Sequence, residues 1–256
     1  MNSKQRELLN EMIAIYIKDR EPIGSESLRL TMDMKISSAT IRNYFKVLVE
    51  EGILFQPHIS SGRIPTNNTL KNYWRSNLDI NNVLVIDNID KVKSASKKNG
   101  IFCNIKILNN EILKEIINFN NKYIILIFEN SEAILPFSEH IYSFIKEFLY
   151  KNIEDIKMIA KSVCVNSLFY KLENIIDTEI FNFGYEFLNL IDSQMLLEII
   201  NSHIYYRLKN GFYFDLFPDG YLALIQDVRL ENNYGKMFVF GELCCNYKDF
   251  YNEIAS

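Results

Sequence analysis

The sequence predicts an α+β fold in two parts, a helical region over residues 1 to 76 that closes with a short hairpin, and a larger region mixing strands and helices over residues 101 to 256. Three observations carry this. Apolar residues recur at helical spacing through the first fifty positions. Beyond residue 100, apolar runs such as "IFCNIKIL" and "KYIILIF" have the length and β-branched content of buried strands. The 256 residues also exceed the ~100 to 200 typical of one domain. With 48% apolar residues, 9 Gly and 5 Pro, both parts are expected to be ordered and to bury a core.

The first helix is predicted over "SKQRELLNEMIAIYIKD", where Leu9, Met12, Ile13, Tyr16 and Ile17 form one stripe and Ser3 is placed to cap it. Pro22 and Gly24 stop it, and Ser25 is expected to cap a short second helix containing Leu28. "TMDMKI" makes a turn. Ser37 or Ser38 then caps a third helix, "SATIRNYFKVLVEEG", which ends at Gly52. Its core sector holds Ile41, Phe45 and Leu48. The opposite sector holds Ala39, Arg42, Asn43 and Lys46, with Ser38 and Thr40 at its edge. Small residues let a helix enter a major groove, Arg can fork to guanine, and Asn can pair bidentately with adenine. Taken alone, such a face is more often merely solvated.

The segment after this helix changes that weighting. "ILFQPHI" reads as a strand entering a turn, "SSGR" as a tight tip with Arg63 on it and Gly62 supplying the bend, and "RIPT" as the return strand. Three helices followed by a two-stranded hairpin is the order of a winged helix-turn-helix domain, in which the third helix enters the major groove and the hairpin reaches phosphates or the minor groove. Charge agrees: residues 1 to 76 carry 11 Lys and Arg against 8 Asp and Glu, a net +3, whereas residues 77 to 256 carry 17 against 24, a net −7. A polyanion would dock on the positive end.

"EPIGSESL", "SSATIRN", "EEGILFQPH" and "SSGRIPT" together closely resemble the N-terminal domain of the HrcA family, heat-inducible transcription repressors of bacterial chaperone genes. The resemblance covers about the first 75 residues. It implies that Ser38, Thr40, Arg42 and Asn43 lie on the recognition helix and that His58, Ser60, Ser61, Gly62 and Arg63 form the wing. It further implies a homodimer on an inverted-repeat operator in double-stranded DNA, a GroEL-type chaperonin as partner, and a GAF-like second domain with an inserted dimerisation segment. Two departures in the motif are Tyr44, where the family usually has an acid, and Ser61, where it usually has Ala.

Residues 77 to 100 are expected to connect the domains, with a possible helix in "INNVLVIDNIDKVKSASKKNG" running into a Ser/Lys/Asn/Gly end. After them the sequence predicts a hairpin turning at Glu129 to Glu132 and helical periods in "SEHIYSFIKEFLYK", "NSLFYKLENII" and "SQMLLEIINSHIYYRL". Strands return in "GFYFDLFPDGYLALIQDVRL" and "GKMFVFGEL", joined by "ENNYG". The mainly helical segment 137 to 192 is the candidate insertion. Where the family usually ends in a GPTRMDY-like run, this chain reads Gly241, Glu242, Leu243, Cys244, Cys245, Asn246, Tyr247.

No enzyme is expected. The chain has no GxxxxGK[ST], GxGxxG or HExxH pattern, and "SEH" at 138 to 140 opens a helix rather than a nucleophile elbow. Cys103, Cys164, Cys244 and Cys245 show no metal-ligand spacing with the three histidines, so no metal or cofactor is expected and the thiols read as free. Cys244 and Cys245 leave a redox-responsive regulator as the alternative, beside a metabolite-responsive one using a GAF-type pocket. No apolar run approaches the ~20 residues needed to span a bilayer, and no signal-peptide pattern opens the chain, so a cytoplasmic location is expected.

Overall fold

A computed structural model describes residues 3–32, 36–108, 110–175, 179–231 and 233–255. Helix α1 (Ser3–Asp19) buries Leu8, Leu9, Met12, Ile13 and Ile17 along the expected stripe. The side chain of Ser3, its expected cap, lies outside the described residues. Helix α2 (Ser25–Thr31) buries Leu28, but its N-cap is Gly24 and makes no side-chain cap bond. Ser25 therefore does not cap; it is the first helical residue and its hydroxyl turns towards the next helix. Residues 33–35 of the expected turn lie outside the described residues.

Helix α3 (Ser38–Glu50) is capped by Ser37, whose Oγ accepts from the Thr40 amide at 3.1 Å. It buries Ile41, Phe45 and Leu48 completely. Gly52, at φ +70°, ends it: the Ile53 amide donates back to Leu48 O at 2.9 Å, closing the left-handed turn that favours glycine. Strands β1 (Leu54–Phe55) and β2 (Ile64–Pro65) pair antiparallel, Leu54 with Pro65 and Phe55 with Ile64. Helix α4 (Asn67–Asn77), capped by Thr66, then carries the chain to the second part and buries Leu70 and Trp74. Trp74 Nε1 donates 2.7 Å to Leu243 O, one buried, satisfied hydrogen bond between two parts that also share a continuous core.

The larger part is built on one mixed sheet. Strand β3 (Leu84–Ile86) and helix α5 (Ile89–Asn99) precede β4 (Phe102–Ile107). Residues 77–100, expected as a connection, thus supply an edge strand and a packed helix. Val92, Ala95 and Ser96 are the buried face of α5; with two of those three so small, the sequence showed no apolar stripe. After β4 the chain leaves the sheet for β5 (Glu115–Phe119), β6 (Tyr123–Ile127), β7 (Glu132–Pro136), α6 (Glu139–Lys146), α7 (Ile153–Ser162) and α8 (Asn166–Glu173). The β6–β7 turn falls at the expected place, with the Phe128 amide donating to Ser131 O at 2.8 Å. These six elements enclose a separate core running from Leu113 to Leu172. The strands before residue 137 therefore belong with the helices after it, because Ile124, Leu126, Ala133 and Leu135 face Ile145, Ile156 and Phe169 across that core.

Strand β8 (Ile180–Phe183) rejoins the sheet beside β4, and α9 (Ser193–Ile200), β9 (Gly211–Tyr213), β10 (Tyr221–Leu230), β11 (Asn233–Glu242) and α10 (Tyr247–Ile254) complete it. The strand order is β3-β10-β11-β4-β8, with β9 also on β10; β3 runs parallel to β10 and the other pairings are antiparallel. Both faces are covered. Leu222, Leu224, Met237 and Val239 face the layer of α5 and α10, while Ala223, Ile225, Phe238 and Phe240 face that of α9. The architecture is mixed α+β, as the sequence predicted. "SQMLLEIINSHIYYRL" does not form one helix: buried Ser202 sits at φ +59° and its Oγ donates to Asn104 Oδ1 at 3.1 Å, breaking α9 from the 3-10 turn His203–Tyr206.

Where the inserted elements meet the sheet, Lys106 of β4 and Lys157 of α7 are each only 2% exposed. Both face Glu173 of α8: its Oε1 lies 3.5 Å from Lys106 Nζ and 3.4 Å from Lys157 Nζ. Tyr206 accepts from Lys106 at 2.6 Å and donates to Glu173 at 2.8 Å, and His203 Nε2 lies 2.9 Å from Glu173 Oε2. Glu154 adds a 2.6 Å ion-pair contact with Lys157, without hydrogen-bond alignment. Burial alone would raise the Glu173 carboxyl, but His203, Lys106, Tyr206 and Lys157 hold it well below the usual range. Burial pushes the Lys106 ammonium down, against the pull of the two carboxylates.

Candidate nucleic-acid interface

Because Ile41, Phe45 and Leu48 are locked into the core, the opposite face of α3 is held outwards. Ala39, Arg42, Asn43 and Lys46 are exposed, and Ser38 and Thr40 are half-buried at the N-terminal edge. The Asn43 side chain makes no hydrogen bond among the described residues. Lys46 lies 4.0 Å from Glu50, one turn on, and both are well exposed, so this ion pair leaves the lysine free to move. Thr40 is spent locally, since its Oγ1 lies 2.9 Å from Ser37 Oγ in the cap. Arg42 Nε donates 3.2 Å to Ser25 Oγ on α2.

The hairpin loop is pinned by its own side chains. Gln56 Nε2 donates to Ile59 O at 2.9 Å and to Ser61 O at 3.2 Å. Ser61 Oγ donates to His58 O at 2.7 Å and accepts from the His58 amide at 2.9 Å. Ser61 is thereby part of the loop's frame, while His58 and Ser60 are exposed beside the apex. The apex itself is Ile59, 99% exposed. Ile59 is not among the residues expected at the site, although an isoleucine amid the polar residues of a turn is a signal present in the sequence.

Arg63 and Gly62 differ from expectation. Arg63 is not at the tip: its backbone pairs with Ile23 through two 2.9 Å hydrogen bonds, placing it at the base of the loop. Its guanidinium is half-buried, 5.9 Å from the Phe45 ring centroid, with Nη1 donating to Ser61 O at 3.3 Å. Gly62 is required by close approach rather than by a turn, since a Cβ there would lie 2.5 Å from the Ile23 backbone. The Ile23 pairing that causes both lies forty residues away in sequence and leaves no local mark.

The vicinal thiols follow β11, and Arg20 just after α1 reaches Cys245 Sγ at 3.5 Å. Cys244 Sγ donates to Glu242 at 3.2 Å and its thiol is pushed up to about 12 by burial and that carboxylate; burial also pushes Cys245 up. Burial thus disfavours the thiolate, the nucleophilic form, at both sulfurs. Arg20, Glu242 and Cys245 border a cleft of about 420 Å³, bridged by a 2.8 Å Arg20–Glu242 ion pair. No cluster of three or more metal-ligating side chains occurs among the described residues, and no helix there is long and apolar enough to cross a membrane.

Residues 74–256 match the family model described as the HrcA C-terminal domain. The heat-inducible transcription repressor HrcA of Helicobacter pylori (strain ATCC 700392 / 26695) is 32% identical over 256 residues, 99% of this chain and 95% of that relative. The protein of the same name from Corynebacterium diphtheriae is 43% identical over 79 residues, 31% of this chain and 23% of that one. A crystal structure described only as that of a hypothetical protein aligns over 99% of this chain and 95% of its own, with a TM-score of 0.54 and 16% identity, a likeness of fold. With the family model and the full-length relative in agreement, the chain belongs to the HrcA family of heat-inducible transcription repressors, a family of regulators and not of enzymes.

Proposed function

We propose that this protein represses heat-shock chaperone operons in the cytoplasm by binding, as a homodimer, an inverted-repeat operator. On this reading residues 1–76 are a winged helix-turn-helix domain with α3 as recognition helix and the Gln56-to-Arg63 loop as wing. The remainder is a GAF-like body, and its insertion is better bounded at 108–179, the stretch leaving β4 and returning at β8, than at 137–192. The carrying observation is the outward face of α3, where Arg42, Asn43 and Lys46 are exposed beside a loop whose shape is fixed by Gln56 and Ser61. A fixed loop loses little entropy on binding, so its contacts register in affinity. A two-fold dimer matches a two-fold operator. Modulation by a GroEL-type chaperonin is proposed from family membership.

In this scheme Arg42 and Asn43 read base edges, while Lys46, His58, Ser60 and Ile59 meet backbone or minor groove. Thr40 with Ser37 fixes the helix start, Ser38 stands at the groove-facing edge beside Glu26, and Ser61 and Arg63 support the wing from within. The test is selection of duplexes from a random pool by the full-length protein, followed by footprinting of the enriched sequence. Protection of two half-sites about one helical turn apart, or a multiple of it, is expected; absence of any enriched sequence at low salt would remove the DNA-reading role.

A further inference from the structure

We propose that helix α2 sets how Arg42 reads DNA, with Ser25 orienting the guanidinium and Arg29 keeping Glu26 from capturing it. This rests on the reading of α3 as recognition helix and names two positioning residues for it.

Arg42 Nε donates to Ser25 Oγ at 3.2 Å across the two helices. One nitrogen of the guanidinium is thereby anchored, which limits rotation of a long side chain that would otherwise sample many rotamers. Nη1 and Nη2 make no hydrogen bond among the described residues, and these two can fork to the acceptor pair of a guanine edge. The anchor is a neutral hydroxyl, so the positive charge offered to DNA is not cancelled.

The neighbouring Glu26 could cancel it. Its carboxylate is held instead by Arg29, whose Nη2 and Nε both donate to Oε1, at 2.6 Å and 3.0 Å. Arg29, one turn along α2, therefore occupies the one acid that follows Ser25 directly. Arg29 above all, then Ser38 and to a smaller degree the Arg42 charge, lower the Glu26 carboxyl, so freed of Arg29 it could pair with Arg42. An arginine engaged in such a pair has to break it before meeting a base.

The test uses the full-length protein, the duplex it enriches from a random pool, and a shuffled duplex of equal length. The readout is the ratio of the two dissociation constants, with melting temperature recorded for every variant. Ser25→Ala and Arg29→Gln are each expected to lower the ratio about fivefold, the worth of one ordinary hydrogen bond. Ser25→Thr, which keeps the hydroxyl, should restore it. Neither change should lower the ratio further once Arg42→Ala is present. Losses of equal size in the Arg42→Ala background, or equal losses on both duplexes as for a phosphate contact by Arg29, overturn the proposal. Arg29→Gln carries the test alone should Ser25→Ala fail to fold. If the pool enriches no duplex, the DNA-reading role itself fails and takes this proposal with it; enrichment with additive effects removes only the positioning.

Discussion

Glu173→Gln removes the negative charge that Lys106 and Lys157 share, and it does so where both lysines are 2% exposed. Four contacts meet at this carboxylate: the two ammonium groups at 3.5 Å and 3.4 Å, the Tyr206 hydroxyl at 2.8 Å and His203 Nε2 at 2.9 Å. Removing one partner of a buried ion pair costs about 3–5 kcal/mol, because the other charge stays behind without compensation. Glutamine keeps one acceptor oxygen and Glu154 still faces Lys157, so the low end, about 3 kcal/mol, is expected. Against a total stability of ~5–15 kcal/mol this is a large share. It corresponds to a melting temperature about 6–12 °C lower for a chain of this size. The assay is thermal and urea unfolding followed by circular dichroism, and Lys106→Met added to Glu173→Gln should recover part of the loss. The pH dependence comes from the lowered carboxyl. Its stabilisation is present above the unfolded value of about 4.3 and fades as pH falls below it towards the lower folded value. The gap between the wild type and Glu173→Gln should therefore narrow on acidification from about pH 5 to pH 3. A loss under about 1 kcal/mol at neutral pH, or a gap that does not change with pH, would refute a buried charge cluster at this junction.

Arg42→Ala should reduce discrimination between enriched and shuffled duplexes by about 1–3 kcal/mol, and competition binding measures it; equal loss on both would assign Arg42 to the backbone. Arg63→Ala should lower the melting temperature by several degrees, since its guanidinium packs over Phe45 and holds Ser61 O. The slope of log affinity against log salt should then change by well under one; a fall of about one full unit would make Arg63 a phosphate contact. Gly62→Ala should destabilise by at least about 2 kcal/mol, because its Cβ would lie 2.5 Å from Ile23 backbone atoms that are themselves paired to Arg63. A neutral effect in urea unfolding would show that this approach relaxes freely.

Local chemistry was legible. The buried sector of α3, a serine cap at one of the two expected positions, the Gly52 stop and the β6–β7 turn come from spacings of a few residues, and the structure bears each of them out. Contacts that join distant segments were not. Strand β3 is three residues long and gains its identity from Val228 to Leu230, more than 140 residues on, so nothing in "LVI" marks it as an edge strand. Helix α5 hides its packed face in Ala95 and Ser96. Ser25 looked like a cap because it follows Gly24, yet its hydroxyl serves Arg42; Ser202 looked helical, yet Asn104 holds it in a left-handed kink. Arg63 illustrates the limit at the site itself. Motif and charge placed it in the hairpin, but only the pairing with Ile23 turns it inward and leaves Ile59 at the apex.

Whether α3 and its adjoining loop read a two-fold DNA site is decided by footprinting the full-length protein on the duplex it enriches from a random pool. Two symmetric protected half-sites in register with the helical repeat are expected, and they should vanish when Arg42 and Asn43 are both replaced by alanine. Protection that is uniform along any duplex, or that survives the double replacement, would contradict a DNA-reading role for this face.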